Sequence, residues 1–307
     1  MPSPLHGRDI ISIKDVTKDE IYAIFKEANL LEVNAKSKSD ILKGKVMALM
    51  FFEPSTRTRL SFEVAMKRLG GDVIGFEEPS MTSMAKGESL IDTAKVLESY
   101  ADIIVVRHPY EGAAKAIADV VEVPVINAGS GALSHPTQTL IDLYTIWREK
   151  GRIDGLTILL LGDLKYSRAV RSLVYGLLNF DVNLLLVSPK YLMLREEVRE
   201  DLKSSGISYV ELTSLTPEVV GKADVVYVTR IQKERFADPM DYERVKGSYK
   251  LTLSHLQYAK EDLIILHPLP RVDEMDIEID RTPYAKYFKQ VYYGLLIRMA
   301  LLKMILT

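Results

Sequence analysis

The chain contains no cysteine at all. That absence removes disulfides, thiol nucleophiles and thiolate metal sites in one step, and it fits the reducing cytoplasm expected as its location. A dominant charge sign is missing too: 40 lysines and arginines against 42 aspartates and glutamates leave a formal net charge of -2. Such a balance predicts no general affinity for nucleic acid or a membrane surface, so any basic site has to be local. The N-terminal "MPSPLHGRDI" lacks the apolar core of a signal peptide. The most apolar stretch, "VYYGLLIRMALLKMILT", is interrupted by Arg298 and Lys303 and is short for a bilayer span. It reads as a docked amphipathic helix. Repeats, low-complexity segments and long disordered linkers are also absent.

What is there is an alternation. Apolar, β-rich runs ("KVMALMFF", "DVIGF", "DIIVVR" and "VPVINA", then "LTILLLGD", "VNLLLVS", "ISYVEL", "DVVYVTR" and "LIILHPL") are separated by segments of helical period, among them 60–69, 92–100 and 168–179. Near-continuous apolar strands between helices predict parallel sheets covered on both faces. At 307 residues the chain is long for one core, so the expected fold is α/β. It comprises two doubly wound domains, each with a central, mainly parallel sheet, joined by interdomain helices. The expected division is 1–135, an interdomain helix at 136–150, and 151–285, with a C-terminal helix at 286–307 packing back onto the first domain. In the joining segment, Leu140, Leu143, Tyr144 and Trp147 recur at helical spacing, Pro136 suits the first helical position and Gly151 suits the C-cap.

Open parallel sheets bind ligands beyond the carboxyl ends of their strands, so the residues following each strand carry the functional information. They are Glu53-Pro-Ser-Thr-Arg-Thr-Arg59, Arg107-His108-Pro109, the loop ending at His135, Gly162-Asp-Leu-Lys-Tyr-Ser-Arg168, Thr229-Arg230-Ile-Gln232 and His267-Pro-Leu-Pro-Arg271. Five of these six turns carry an arginine, which predicts a crevice lined with cations. In the first, Ser55 suits an N-cap, and the helix behind it buries Phe62, Ala65, Met66 and Leu69. Its first-turn N–H groups, the Arg57 fork and the hydroxyls of Thr56 and Thr58 match a phosphate better than a carboxylate. His135 and Gln138 lie one turn apart at a helix start, either as cap and packing residues or as donors to a carbonyl oxygen. Arg168 and Arg230 suit a dicarboxylate, or else structural pairing with Glu53 or Asp163. Lys86 lies in the polar, aperiodic segment 77–89, which reads as a loop. The turn "GDLKYSR" lacks G-x-G-x-x-G, which excludes the dinucleotide fingerprint.

Taken together and in order, "FFEPSTRTRLSFE", "VVRHP", "SHPTQTLIDL", "GDLKYSR", "TRIQKERF" and "HPLPRVDE" resemble the catalytic chains of the aspartate carbamoyltransferases, within the aspartate/ornithine carbamoyltransferase superfamily. The resemblance implies transfer of a carbamoyl group from carbamoyl phosphate to L-aspartate, a step of pyrimidine synthesis, with no metal and no cofactor. It implies that Ser55, Thr56, Arg57 and Thr58 bind phosphate, and that Arg107, His135 and Gln138, with Thr58, hold the carbamoyl end. Leu269 and Pro270 would meet that group through their backbone, and Arg168, Arg230 and Gln232 would bind the aspartate carboxylates. It further implies a homotrimer in which Ser83 and Lys86 reach a neighbouring subunit's site, and admits regulatory chains in a larger assembly. The loop is one residue shorter between Ser83 and Lys86 than in some members, so Lys86, fixed by "KGE", transfers more directly. Ornithine enzymes carry "HCLP" and an "SMG" loop; here the segment is "HPLP" and "SMG" is absent. Two arginines repel ornithine's distal ammonium, so aspartate is the expected acceptor.

Overall fold

The computed structural model describes residues 3–78, 82–231, 240, 242–243 and 249–307. Its contacts divide into two compact units, one running to Ile141 and taking up Tyr292–Thr307, the other Asp142–Val291.

The first unit contains helix α1 (Lys18–Glu32) and then β1 (Val46–Phe51), α2 (Thr56–Arg68), β2 (Asp72–Phe76), α3 (Leu90–Glu98), β3 (Ile103–His108), α4 (Ala113–Ala118) and β4 (Val125–Ser130). Its sheet has the order β2-β1-β3-β4, every pair parallel. Helix α5 (Pro136–Lys150) carries the chain into the second unit. There follow β5 (Thr157–Gly162), α6 (Arg168–Leu177), β6 (Asn183–Val187), α7 (Glu196–Ser205), β7 (Ser208–Leu212), α8 (Pro217–Lys222), β8 (Val225–Thr229) and β9 (Ile264–Leu266). The second sheet, β7-β6-β5-β8-β9, is also parallel throughout. A C-terminal helix, Tyr287–Leu306, closes the chain. In its last turns Lys303 pairs with Glu27 at 2.7 Å and the Ile305 carbonyl accepts from Gly7.

All nine apolar runs of the sequence are strands, and burial explains which are most apolar. In β1, β3, β4, β5 and β8 nearly every side chain is buried, as helices on both faces require. The edge strands β2 and β7 show no fully buried position. Helix starts also follow the sequence: Thr17 and Glu20 form a reciprocal capping box, Ser89 and Ser167 accept N–H bonds, and Pro136 opens α5. Gly151 ends α5 in the left-handed region.

The strand orders decide where ligands can bind. Each sheet winds one way and then reverses, between β1 and β3 in the first unit and between β5 and β8 in the second. A crevice opens beyond the carboxyl ends at such reversals, because the helices after the two strands lie on opposite faces. The residues at those four strand ends are therefore Ser55–Thr58, Arg107, Arg168 and Arg230.

The second unit is held by a buried polar chain. Tyr227 Oη donates to Asp142 Oδ2 at 3.0 Å, and Gln290 Nε2 donates to Asp142 Oδ1 at 2.6 Å. Burial and the Asp142 carboxylate push the Tyr227 phenol well above its ordinary value, so it remains a donor. Beside it β5 and β8 approach through Gly162: a Cβ there would lie 2.1 Å from the Thr229 carbonyl oxygen, at φ +115°. Gly162→Ala is therefore expected to destabilise the protein by about 2–4 kcal/mol, and Gly151→Ala, where nothing lies within 4 Å, by about 1 kcal/mol. Denaturant unfolding of the two variants checks this; equal losses would refute the close approach.

Candidate active site

Two arginines open α2, and they have different fates. Arg59 is neutralised, with Nη1 3.0 Å from Glu63 and Nε 2.8 Å from Glu77. Arg57 meets no carboxylate among the described residues; partial burial alone holds its pKa below the ordinary arginine value. Ser55 occupies the N-cap position, but its hydroxyl makes no cap hydrogen bond, in contrast to the sequence expectation. With ψ at 84°, its backbone departs from the usual cap geometry, in which a serine oxygen is carried over the first-turn N–H groups. The first turn of α2 thus combines N–H groups without intrahelical acceptors, a cation and the positive end of the helix dipole. Thr56 is exposed and Thr58 is buried.

Arg107 is the penultimate residue of β3, with Nε 3.3 Å from Glu53 Oε2 and Nη1 3.4 Å from the Ala128 carbonyl oxygen. A carboxylate and a strand end hold this guanidinium beside the phosphate-suited turn: Phe52 N–H donates to the Arg107 carbonyl at 2.8 Å. His108, next in sequence, is structural. Its ring packs between Phe52 and Tyr110, its Nδ1 accepts the Tyr110 N–H at 3.0 Å, and burial lowers its pKa against the pull of Glu53.

His135 is buried at the entry to α5, with Nδ1 3.4 Å from Thr137 Oγ1, and half-buried Gln138 follows one turn on. The loop delivering them is organised by Asn127, which sequence reasoning missed. Asn127 Oδ1 accepts from Gly129 N–H at 2.8 Å and Ser130 Oγ at 3.0 Å, while Nδ2 donates to the Ile11 carbonyl at 2.9 Å. An asparagine two residues before a glycine in the run after "VPVI" was the available signal. The polar segment before α3, expected as plain loop, contains a 3-10 turn, Ser83–Lys86, capped by Thr82. Ser83 and Lys86 are both exposed.

In the second unit Arg168 is the first residue of α6, directly after the capping Ser167. Ser167 Oγ lies 3.2 Å from Thr229 Oγ1, a buried tie between the residues preceding Arg168 and Arg230. Asp163 Oδ1 accepts the N–H groups of Lys165 (3.1 Å) and Tyr166 (2.8 Å), closing the turn from β5. Gln232 lies outside the described residues. A cleft beyond the ends of β5 and β8 is lined by Gly162, Thr229, Ile231, Tyr249 and Lys250, with Asp273 and Glu274 behind.

After β9 the backbone takes an unusual form. Leu269 sits at φ +55°, a conformation costing about 1–3 kcal/mol for a side chain with a Cβ, and its peptide bond to Pro270 is cis. Arg271, the arginine of the last strand-end turn in the sequence, is a clamp. Asp280 accepts from both its terminal nitrogens, and its guanidinium lies 5.3 Å from the Tyr287 ring centroid and 5.6 Å from that of Phe288. Hydrogen bonding to Asp280 raises its pKa further. Among the described residues no group of three His, Asp or Glu side chains is arranged to hold a metal ion, and no helix is long and apolar enough to cross a membrane.

These features define a class: two doubly wound units whose sheet reversals end in residues suited to anions, a phosphate-suited turn on one and paired arginine positions on the other. Known proteins make the class specific. Residues 8–148 match the carbamoyl-phosphate-binding domain, and residues 154–305 the Asp/Orn-binding domain, of aspartate/ornithine carbamoyltransferases. The chain is 57% identical over 300 residues to the aspartate carbamoyltransferase catalytic subunit of Pyrobaculum islandicum, covering 98% of each. It is 55% identical over 299 residues to that of Methanocaldococcus jannaschii, covering 96% of this chain and 97% of the relative. The aspartate transcarbamoylase of Trypanosoma cruzi, in complex with carbamoyl aspartate and phosphate, superposes with a TM-score of 0.95 at 39% identity, covering 100% and 99% of the two chains. The chain belongs to the aspartate/ornithine carbamoyltransferase family.

Glu274, buried at the cleft beyond the ends of β5 and β8, yields a pH prediction. Burial opposes its ionisation, but hydrogen bonds from His267 and from main-chain N–H groups outweigh it, and its pKa is lowered. A lowered carboxyl pKa contributes stability above the ordinary carboxyl range, which is lost as pH falls through the folded value. Glu274→Gln should therefore lose less stability than the wild type between neutral and acid pH, measured by urea unfolding. Parallel pH profiles would contradict the assignment.

Proposed function

We propose that this chain is the catalytic component that transfers the carbamoyl group of carbamoyl phosphate to the α-amino group of L-aspartate, giving N-carbamoyl-L-aspartate and phosphate. The observation carrying this reading is the contrast within α2: at the sheet reversal Arg59 is neutralised while Arg57 meets no carboxylate among the described residues. A guanidinium at a helix N-terminus with no carboxylate partner among the described residues is a strong phosphate ligand.

In this reading Ser55, Thr56, Arg57 and Thr58 bind the phosphate. Arg107, His135 and Thr58 donate to the carbonyl oxygen as it gains negative charge, and Gln138 with the Leu269 and Pro270 backbone orients the carbamoyl amide. Arg168, Arg230 and Gln232 hold the aspartate carboxylates, each arginine contact contributing about 1.5–3 kcal/mol. The uncharged amine attacks the carbonyl carbon; a C–N bond forms and the C–O bond to phosphate breaks. Phosphate leaves with the electron pair, stabilised by Arg57, and can accept the proton the amine gives up. Orientation of two anionic substrates supplies much of the rate.

Aspartate rather than ornithine follows from two arginines where a distal ammonium would be repelled, and from the absence of any cysteine after His267. The exposed 3-10 turn supports a homotrimer in which Ser83 and Lys86 complete a neighbouring subunit's site. Regulatory chains and a cytoplasmic location accord with relatives named catalytic subunits.

Purified chain should form carbamoyl aspartate from the two substrates. Arg57→Ala should lower kcat by about 10²-fold or more with unfolding unchanged, and Arg230→Ala should chiefly raise the KM for aspartate. Near-normal turnover of a folded Arg57→Ala variant, or an unaltered aspartate dependence for Arg230→Ala, would refute the respective role.

A further inference from the structure

His267 and Glu274 form a buried pair directly behind Leu269, 2% and 6% exposed. His267 Nδ1 accepts the Leu269 N–H at 2.8 Å, and Nε2 lies 2.6 Å from Glu274 Oε1. An Nδ1 that accepts carries no proton, so the ring proton is on Nε2 and is donated to the carboxylate. The other carboxylate oxygen, Oε2, accepts the N–H groups of Val272 at 3.0 Å and Asp273 at 3.1 Å. Behind the histidine, its own main-chain N–H donates to Gln290 Oε1 at 3.1 Å, which joins the pair to the Asp142–Tyr227 chain.

This arrangement has a chemical consequence at the segment 268–270. Pro268 and Pro270 have no N–H, and the only N–H of the three, that of Leu269, is taken by His267. What the segment offers a ligand is therefore carbonyl oxygen alone. We infer that His267 and Glu274 are positioning residues for substrate selection: by consuming the Leu269 N–H they make this turn an acceptor-only surface. It then recognises the NH2 of a carbamoyl group and rejects acyl phosphates that cannot donate there. The inference rests on the proposed placement of the carbamoyl group at Leu269 and Pro270. A left-handed leucine needs such an anchor, since the backbone conformation is unfavourable without one.

Two substitutions separate the functions of the ring nitrogens. In His267→Asn, the amide oxygen stands at the δ position and still accepts from Leu269. In His267→Gln, an amide nitrogen at the ε position still donates to Glu274, but the Leu269 N–H is released. The readout is the ratio of dissociation constants for acetyl phosphate and carbamoyl phosphate, which differ by CH3 against NH2. Wild type and His267→Asn should share one ratio, and His267→Gln should lower it by about tenfold, the equivalent of one neutral hydrogen bond. A merely structural pair would lower stability in both variants and leave the ratio alone, overturning the inference; so would equal loss of selectivity in both.

Ring 15N shifts and Leu269 amide exchange in the wild type give a test independent of variant folding. A proton on Nδ1 of His267, or an unprotected Leu269 amide, would overturn the pairing. Failure of the wild type to bind carbamoyl phosphate would instead refute the proposed function, with the tautomer and amide measurements still deciding the pair.

Discussion

The chemistry assigned to this protein depends on one electrostatic imbalance. At the start of α2 the exposed guanidinium of Arg57 meets no carboxylate among the described residues, on a helix end whose first-turn N–H groups lack intrahelical acceptors. An anionic ligand there gains charge-assisted hydrogen bonds from the guanidinium and the helix N–H groups together. The same turn shows the alternative outcome, because Arg59, two residues on, is satisfied internally by Glu63 and Glu77. One arginine builds the scaffold, and the proposed function assigns the other to a ligand.

The scaffold fixes where such residues can be. Parallel strands buried on both faces hold their carboxyl ends in register, and each sheet reverses its winding at one place. At the first reversal Ser55–Thr58 follow β1 and Arg107 lies at the carboxyl end of β3; at the second, Arg168 and Arg230 follow β5 and β8. Hydrogen bonds through Asn127, Asp163, Ser167 and Glu274 then fix the loops, so that loop residues acquire the rigidity of strand ends.

Much of the fold was legible in the sequence, because its periodicities are those of fully buried strands and capped helices. The run "LTILLLGD" cannot be satisfied except between two covering layers, and Pro136 and Gly151 bracket α5 as their conformational limits dictate. Arginines were legible as a set but not individually. Whether Arg271 serves a ligand or a clamp depends on Asp280 and Tyr287, whose proximity is created by tertiary folding. The Leu269 conformation and the tautomer of His267 were equally hidden, since neither leaves a mark on composition or period. Ser55 was placed correctly as an N-cap position, yet its hydroxyl does not act as a cap. That departure from a local rule falls in the phosphate-suited turn, where functional sites commonly override local preference.

A crystal structure with N-(phosphonacetyl)-L-aspartate, a compound bound by the related Trypanosoma cruzi enzyme, tests the imbalance directly. The account predicts phosphonate oxygens within hydrogen-bonding distance of the Arg57 guanidinium and the first N–H groups of α2, with the carboxylates against Arg168 and Arg230. A phosphonate bound away from α2, or an Arg57 side chain left in water beside it, would contradict the account.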